Sequence, residues 1–241
     1  MKRLIVFVVL AMLLCAAVAY AGPLTSDSTV SYTDETGAAA TPVKDSGFGV
    51  SLAYSSFHYK LDIPTAVVED GQHFDINATG PMLTAEFYKL NPDNGSEFVL
   101  GAWWAFVRVD GDDGNLANIY GRYRFNKNWG VELGSMIKDA RTLWGKTTYY
   151  ATYEPTLDPK SNLALQFGIG SMTDTKNWMN VPGVTVKTKY SAYGNATWAF
   201  KNNMTANVGL WLLSQKYETV ALGKFASSTT YQWTAGVGYK L

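Results

Sequence analysis

From Phe48 to Leu241 the chain returns again and again to one pattern, a large apolar residue at every second position. The pattern is cleanest at the end. There Tyr231, Trp233, Ala235, Val237, Tyr239 and Leu241 alternate with Gln232, Thr234, Gly236, Gly238 and Lys240. Side chains of an extended strand point to its two faces in turn, so strict period two means one apolar and one polar face. Every such strand must find apolar cover for one face and hydrogen-bond partners along both edges.

The alternation predicts ten strands, at 48–55, 82–90, 98–109, 118–125, 129–137, 149–154, 163–171, 190–200, 204–212 and 231–241. The third is apolar on both faces, which leaves its inward and outward sides open. Short connections rich in turn formers ("NPDNGSE", "NKN", "DPKSN", "KNN") follow strands two, four, six and eight. Longer polar ones are expected near 62–79, 110–117, 138–147, 172–187 and 217–227. An up-and-down meander then has all tight turns at one end, and an even strand count puts both termini at that end. No proline falls within these strand cores, as ladders that use every backbone donor require.

Which face is which decides the class. One face collects Leu, Val, Ile, Phe, Trp and Tyr. The other collects Gly, Ser, Thr, Asn and Gln together with Glu86, Arg122, Arg124, Glu132, Glu154 and Lys240. A barrel of about ten strands has no room inside for ten rows of large aromatics. The apolar face must therefore point outward, which describes a closed all-β barrel in lipid, where closure satisfies backbone groups that hydrocarbon cannot. Ten antiparallel strands are expected, eight and twelve being the neighbouring alternatives. Phe125, Trp129, Trp198, Phe200 and Tyr239 fit an aromatic girdle at one level, Tyr190 and Tyr231 at the other.

The N-terminus fits export. Met1-Lys2-Arg3 is a basic start, Leu4 to Ala19 an apolar run, and Ala19-Tyr20-Ala21 a small-x-small cleavage site. The expected organisation is a signal peptide over 1–21, a flexible periplasmic segment over 22–46 and the barrel over 47–241. The one cysteine, Cys15, lies in the cleaved part behind Leu14, a poor lipidation context. Disulfides and thiol chemistry are thereby excluded from the mature chain. Loss of Lys2 and Arg3 leaves 18 basic against 20 acidic residues, so no basic excess points to nucleic acid.

Signal peptide, meander and terminus together resemble small Gram-negative outer-membrane β-barrels of the outer membrane protein A and opacity-protein type. The end also resembles their C-terminal assembly signal, with Thr234 as the polar residue, Gly236 as the glycine, and Tyr239 and Leu241 as the apolar pair. Leu241 departs from the usual terminal Phe. The resemblance implies location in the outer membrane, insertion by the barrel assembly machinery, and contact with outer-membrane lipid and lipopolysaccharide.

For the lumen the expectation is a salt-bridged network of Glu86, Arg122, Arg124, Glu132 and Glu154, because inward charges are costly unless paired. Such a network fills the barrel; the alternative is a hydrated narrow channel lined by the same charges. Inward Gly130, Gly134, Gly168, Gly170 and Gly209 make room either for Tyr150, Tyr193 and Trp211 or for water. No catalytic, cofactor or metal site is expected. His58 and His73, with Asp70 and Asp75 near the latter, form no family signature, and the "DGDDGN" stretch Asp110 to Asn115 lacks calcium-loop spacing. Asn77 and Asn195 match glycosylation acceptors by chance, Asn195 facing the lumen. Two functional classes follow: a structural or surface-interaction barrel, which is favoured, and a narrow passive channel, with a rim-sited hydrolase or acyltransferase a distant third. Trp144, Trp178 and Met179 in the long connections are candidates to anchor a surface partner.

Overall fold

A computed structural model of the chain describes residues 46–63, 72–91, 96–109, 112–126, 128–138, 144–157, 162–176, 182–200, 203–220 and 223–241. The signal peptide and nearly all of the 22–46 segment lie outside the described residues, as do Asp70, Asp110, Trp178 and Met179.

The described residues form ten long strands and one short one: β1 (Ser46–Ile63), β2 (Gln72–Asn91), β3 (Ser96–Val109), β4 (Asp112–Arg124), β5 (Trp129–Lys138), β6 (Thr147–Tyr153), β7 (Leu163–Met172), β8 (Thr175–Lys176), β9 (Thr185–Ala199), β10 (Met204–Thr219) and β11 (Gly223–Lys240). Each long strand pairs antiparallel with the next, β7 with β9, and β8 adds two residues along the end of β9. β11 returns to β1 over fourteen paired residues, from Gly49 opposite Lys240 to Asp62 opposite Ser227. The sheet is closed, and a barrel of ten strands has no edge left to solvate. At the seam the Leu241 amide donates to the Phe48 carbonyl at 2.7 Å. A side chain at Gly236 would collide with the Leu52 carbonyl and Ala53, so only glycine allows this close approach of β11 to β1.

All ten expected strands are present, but they run further than the alternation indicates. β1 continues to Ile63, β2 begins at Gln72, β4 at Asp112 and β11 at Gly223, and β10 reaches Thr219. Much of the sequence assigned to long connections is therefore hairpin. Beyond the lipid neither face need be apolar, so the ladder continues while the alternation that betrays it stops. β2 runs through Pro81, although no proline is expected within a strand core. Gly80 and Pro81 have no registered partner on β3 although Thr79 and Met82 do, and a Cβ on Gly80 would strike the Phe106 carbonyl.

The apolar face points outward. Leu52, Ile119, Leu133, Ile169, Val208 and Val237 are all at least half exposed, reaching 67 % at Ile169. The girdle residues Phe125, Trp129, Trp198, Phe200, Tyr239, Tyr190 and Tyr231 are exposed as well. β3 resolves with Phe98, Leu100 and Phe106 outside and Val99, Ala105 and Val107 buried inside. On β10 the outward apolar row from Met204 to Leu212 covers about 27 Å along the strand. At the usual tilt of about 40° that is a band near 21 Å high, close to the outer band of membrane barrels.

Candidate functional site

The lumen is built in two storeys. At the tight-turn end the inward positions are charged and register decides who meets whom. Arg122 on β4 stands directly opposite Glu132 on β5, and Arg124 opposite Glu97 on β3. Arg124 Nη2 lies 3.4 Å from Glu97 Oε2, and its Nη1 is paired with Glu154 Oε2 just beyond β6. Arg122 lies 4.0 Å from Glu132 Oε2 and 3.9 Å from Glu154 Oε1. The structure thus places Arg122, Arg124, Glu132 and Glu154 in one cluster with Glu97. Glu86 joins it through a tyrosine rather than an arginine.

Four carboxylates against two guanidiniums leave an acidic excess, and hydroxyl and amide donors offset it. The Tyr120 hydroxyl donates to Glu86 Oε1 at 2.5 Å, the Tyr193 hydroxyl to Glu132 Oε2 at 2.9 Å, and Gln166 Nε2 to Glu154 Oε1 at 3.4 Å. Glycine makes the tyrosine bridges possible. Gly101 is the register partner of Tyr120, Gly168 of Tyr193 and Gly47 of Tyr88, and a Cβ at each would enter the facing ring. Each ring occupies the space a side chain would take, and Tyr120 on β4 reaches across β3 to Glu86 on β2. Gly134 and Gly209 instead make room for polar side chains, Thr148 and Asn118 for the one and Asn195 and Thr234 for the other. A chamber of about 440 Å³ remains among these groups, with Lys240, Asn195 and Asn207 among its walls.

Above the chamber the lumen turns apolar. Phe57, Ala78, Ala105, Val107, Leu116, Met136, Trp144, Met172 and Leu213 are buried against one another, with Met82, Trp103 and Trp211 packed beneath. These side chains come from β1, β2, β3, β4, β5, β7 and β10, and from the connection before β6. Trp144 is the central piece. Only 2 % exposed, it stacks on Phe57 with centroids 5.7 Å apart and meets Trp211 edge-on at 5.1 Å. Gln215 Nε2 donates to the Trp144 carbonyl at 2.6 Å and holds the connection inside the barrel. A polar layer separates the storeys: Trp211 Nε1 donates to Ser191 Oγ at 2.8 Å and to the Tyr150 hydroxyl at 3.1 Å.

Two expectations change here. Trp144 is no surface anchor; its indole belongs to the lumen, since leaving so large an apolar surface in water would forgo one of the larger burial energies a side chain offers. Above the charged network, which lines the chamber, the described side chains that meet inside the barrel are mostly apolar. Sequence reasoning also missed Glu97. Its signal was two residues of strand: starting the third strand at Ser96 aligns Glu97 with Arg124 and turns it inward.

The remaining candidates are dispersed. Exposed His73 pairs with Asp62, Lys60 lies 3.7 Å from Asp75, and Asp113 lies 3.2 Å from Arg108. Asn195 faces the lumen near Gln166. Among the described residues no group of His, Cys, Asp or Glu is arranged to hold a metal. Of the terminal four, Thr234 faces the lumen, Gly236 packs on β1, and Tyr239 and Leu241 are exposed outside.

A closed antiparallel barrel with an apolar outer band, aromatic margins and a polar lower lumen is an outer-membrane β-barrel. No protein-family model and no curated protein matches the sequence. Among solved structures the chain is similar to an outer membrane channel from Pseudomonas putida F1, with 10 % identity, TM-score 0.43, and coverage of 84 % of this chain and 97 % of that one. It is similar also to the outer membrane protein OprG from Pseudomonas aeruginosa (13 % identity, TM-score 0.34, 81 % and 96 % covered). A third is the outer membrane protease OmpT from Escherichia coli (11 % identity, TM-score 0.33, 82 % and 97 % covered). Likeness at this level carries no role from one chain to another.

Proposed function

We propose that the protein is exported by a cleaved signal peptide and resides in the outer membrane as a structural or surface-interaction barrel with a closed lumen. One observation carries the reading: the apolar layer centred on Trp144, Phe57 and Trp211 crosses the barrel between the charged chamber and the long hairpins. An ion crossing that layer would meet mostly apolar side chains and would have to give up much of its water there, which is costly. The long hairpins then become the parts that meet other molecules, and the lumen charges serve to hold the wall together. The reading assigns no catalytic role, and it assigns Thr234, Gly236, Tyr239 and Leu241 to recognition by the assembly machinery.

A second reading, a narrow channel for ions or small solutes, is favoured by the polar chamber of about 440 Å³ below the seal. Single-channel recording of the refolded full chain in a planar bilayer separates the two, after a heat-modifiable gel shift has shown that the barrel is folded. Silence is expected. Steady conductance at rest would overturn the closed-lumen reading in favour of the channel.

A further inference from the structure

We propose that the outer faces of β8 to β11, just above the apolar band, bind the phosphates of lipopolysaccharide through a lysine surface centred on Lys187, Lys189 and Lys216. The outward apolar row of β10 ends at Leu212, whose partners are Ala192 and Tyr231. The next outward positions are Ser214, Lys216 and Glu218. Lys216 stands directly opposite Lys187 on β9, and Glu218 stands level with Lys224 on β11 and Thr185 on β9, whose other partner is Lys176. Lys189 is the extra residue of a bulge: Ser214 pairs with Tyr190 and Gln215 with Thr188. Buried Gln215 holds Thr188 inside at 3.2 Å, so Lys189 and Tyr190 are left together on the exposed outer side.

Like charges directly opposite each other in a sheet are unfavourable. Glu218 bridges Lys187 and Lys216, 2.7 Å from each, and Asp174 adds a second acid beside Lys187. Five lysines against these two carboxylates still leave the face strongly positive. Among the described residues of the neighbouring β1 and β2, Lys60, Asp62, His73 and Asp75 form mixed pairs, so the excess does not extend onto those two strands. Its height is the second argument. The long-hairpin end of such a barrel faces the outer leaflet, and lysines just beyond an apolar band lie among headgroups. From Lys189 to Lys224 the surface climbs four residues, about 14 Å along the strand. A headgroup with one phosphate at one level would meet a single row of it. A glycolipid carrying phosphates on its sugars presents anionic oxygens over a thicker layer and matches the whole.

The proposal requires the barrel to lie in a membrane but is indifferent to conduction, so its failure leaves the closed lumen standing. The test titrates the folded full chain in neutral detergent with diphosphorylated lipid A, with lipid A stripped of phosphate, and with phosphatidylglycerol, reading bound lipid by native mass spectrometry. Wild type should prefer diphosphorylated lipid A, and Lys187→Gln/Lys189→Gln/Lys216→Gln should weaken that binding on the order of tenfold. Lys89→Gln, at the tight-turn end, should leave it unchanged. Lys189→Gln alone, which disturbs no bridge to Glu218, should lose about threefold and keeps the test alive should the triple variant fold poorly. Equal binding by wild type and the lysine variants, or equal binding of the dephosphorylated lipid, would overturn the proposal. Phosphatidylglycerol bound as tightly as lipid A would overturn the choice of glycolipid.

Discussion

Trp144 stacks on Phe57 with ring planes 27° from parallel, although Phe57 stands on β1 and Trp144 precedes β6 on the far side of the barrel. Two residues 87 positions apart thus meet near the axis, and the contact exists only because the sheet closes. Trp144→Ala removes the centre of the seal. On the closed-lumen reading, steady conductance should appear in this variant and not in wild type, and stability to urea should fall by about 3 kcal/mol, the usual cost of truncating a buried aromatic. A silent Trp144→Ala barrel would show that the remaining apolar side chains close the lumen by themselves.

Once opened, the lumen should select for cations. Glu86, Glu97, Glu132 and Glu154 outnumber Arg122, Arg124 and Lys240 inside it, and an excess of fixed charge of one sign in a narrow conduit raises the local concentration of the opposite ion. The reversal potential of Trp144→Ala in a potassium chloride gradient should lie on the cation side. Adding Glu132→Gln and Glu154→Gln should move it toward zero or beyond. Anion selectivity in the singly substituted barrel would contradict this account of the lumen charge.

Gly168→Ala should be costly for one specific reason. Its Cβ would enter the Tyr193 ring, and moving that ring pulls its hydroxyl from Glu132 Oε2, now 2.9 Å away. Overpacking of this kind costs about 1–3 kcal/mol. Gly183→Ala, where a Cβ would meet no atom within 4 Å, is the contrasting case despite its positive φ of 81°; its loss should stay near the smaller backbone cost of about 1 kcal/mol. Urea unfolding of the two variants in the same lipid makes the comparison.

Glu218 should titrate far below an ordinary glutamate. Lys187 and Lys216 both donate to it and pull its carboxyl down to about 2. A carboxyl depressed in the folded state favours folding above the ordinary glutamate range and loses that contribution as pH falls through about 2. The side-chain carboxyl resonance should therefore show a midpoint near pH 2 in wild type, shifted upward in Lys187→Gln. A midpoint near 4.5 would mean that the two lysines point elsewhere.

The class of this protein was written in a local rule. A strand shows its faces through residues two apart, so the apolar band, the girdle aromatics from Phe125 to Tyr239 and the inward side of Arg122, Arg124 and Glu132 were all legible from the chain alone. Even the pairing of Arg122 with Glu132 follows from two adjacent strands and a tight turn. What the sequence could not show lies wherever that local rule stops. Outside the lipid the alternation ends while the hydrogen-bond ladder continues, which hid the ends of β1, β2, β10 and β11. Inside, the depth at which a side chain from one wall meets one from the opposite wall depends on closure and register together. Only the tertiary structure decided that Tyr120 crosses β3 over Gly101, that Glu97 completes the arginine cluster, and that Trp144 is buried against Phe57 and Trp211 inside the barrel. Partition between lipid and water acts on each residue where it stands, and period two records it; contact across a closed barrel is a property of ten strands at once.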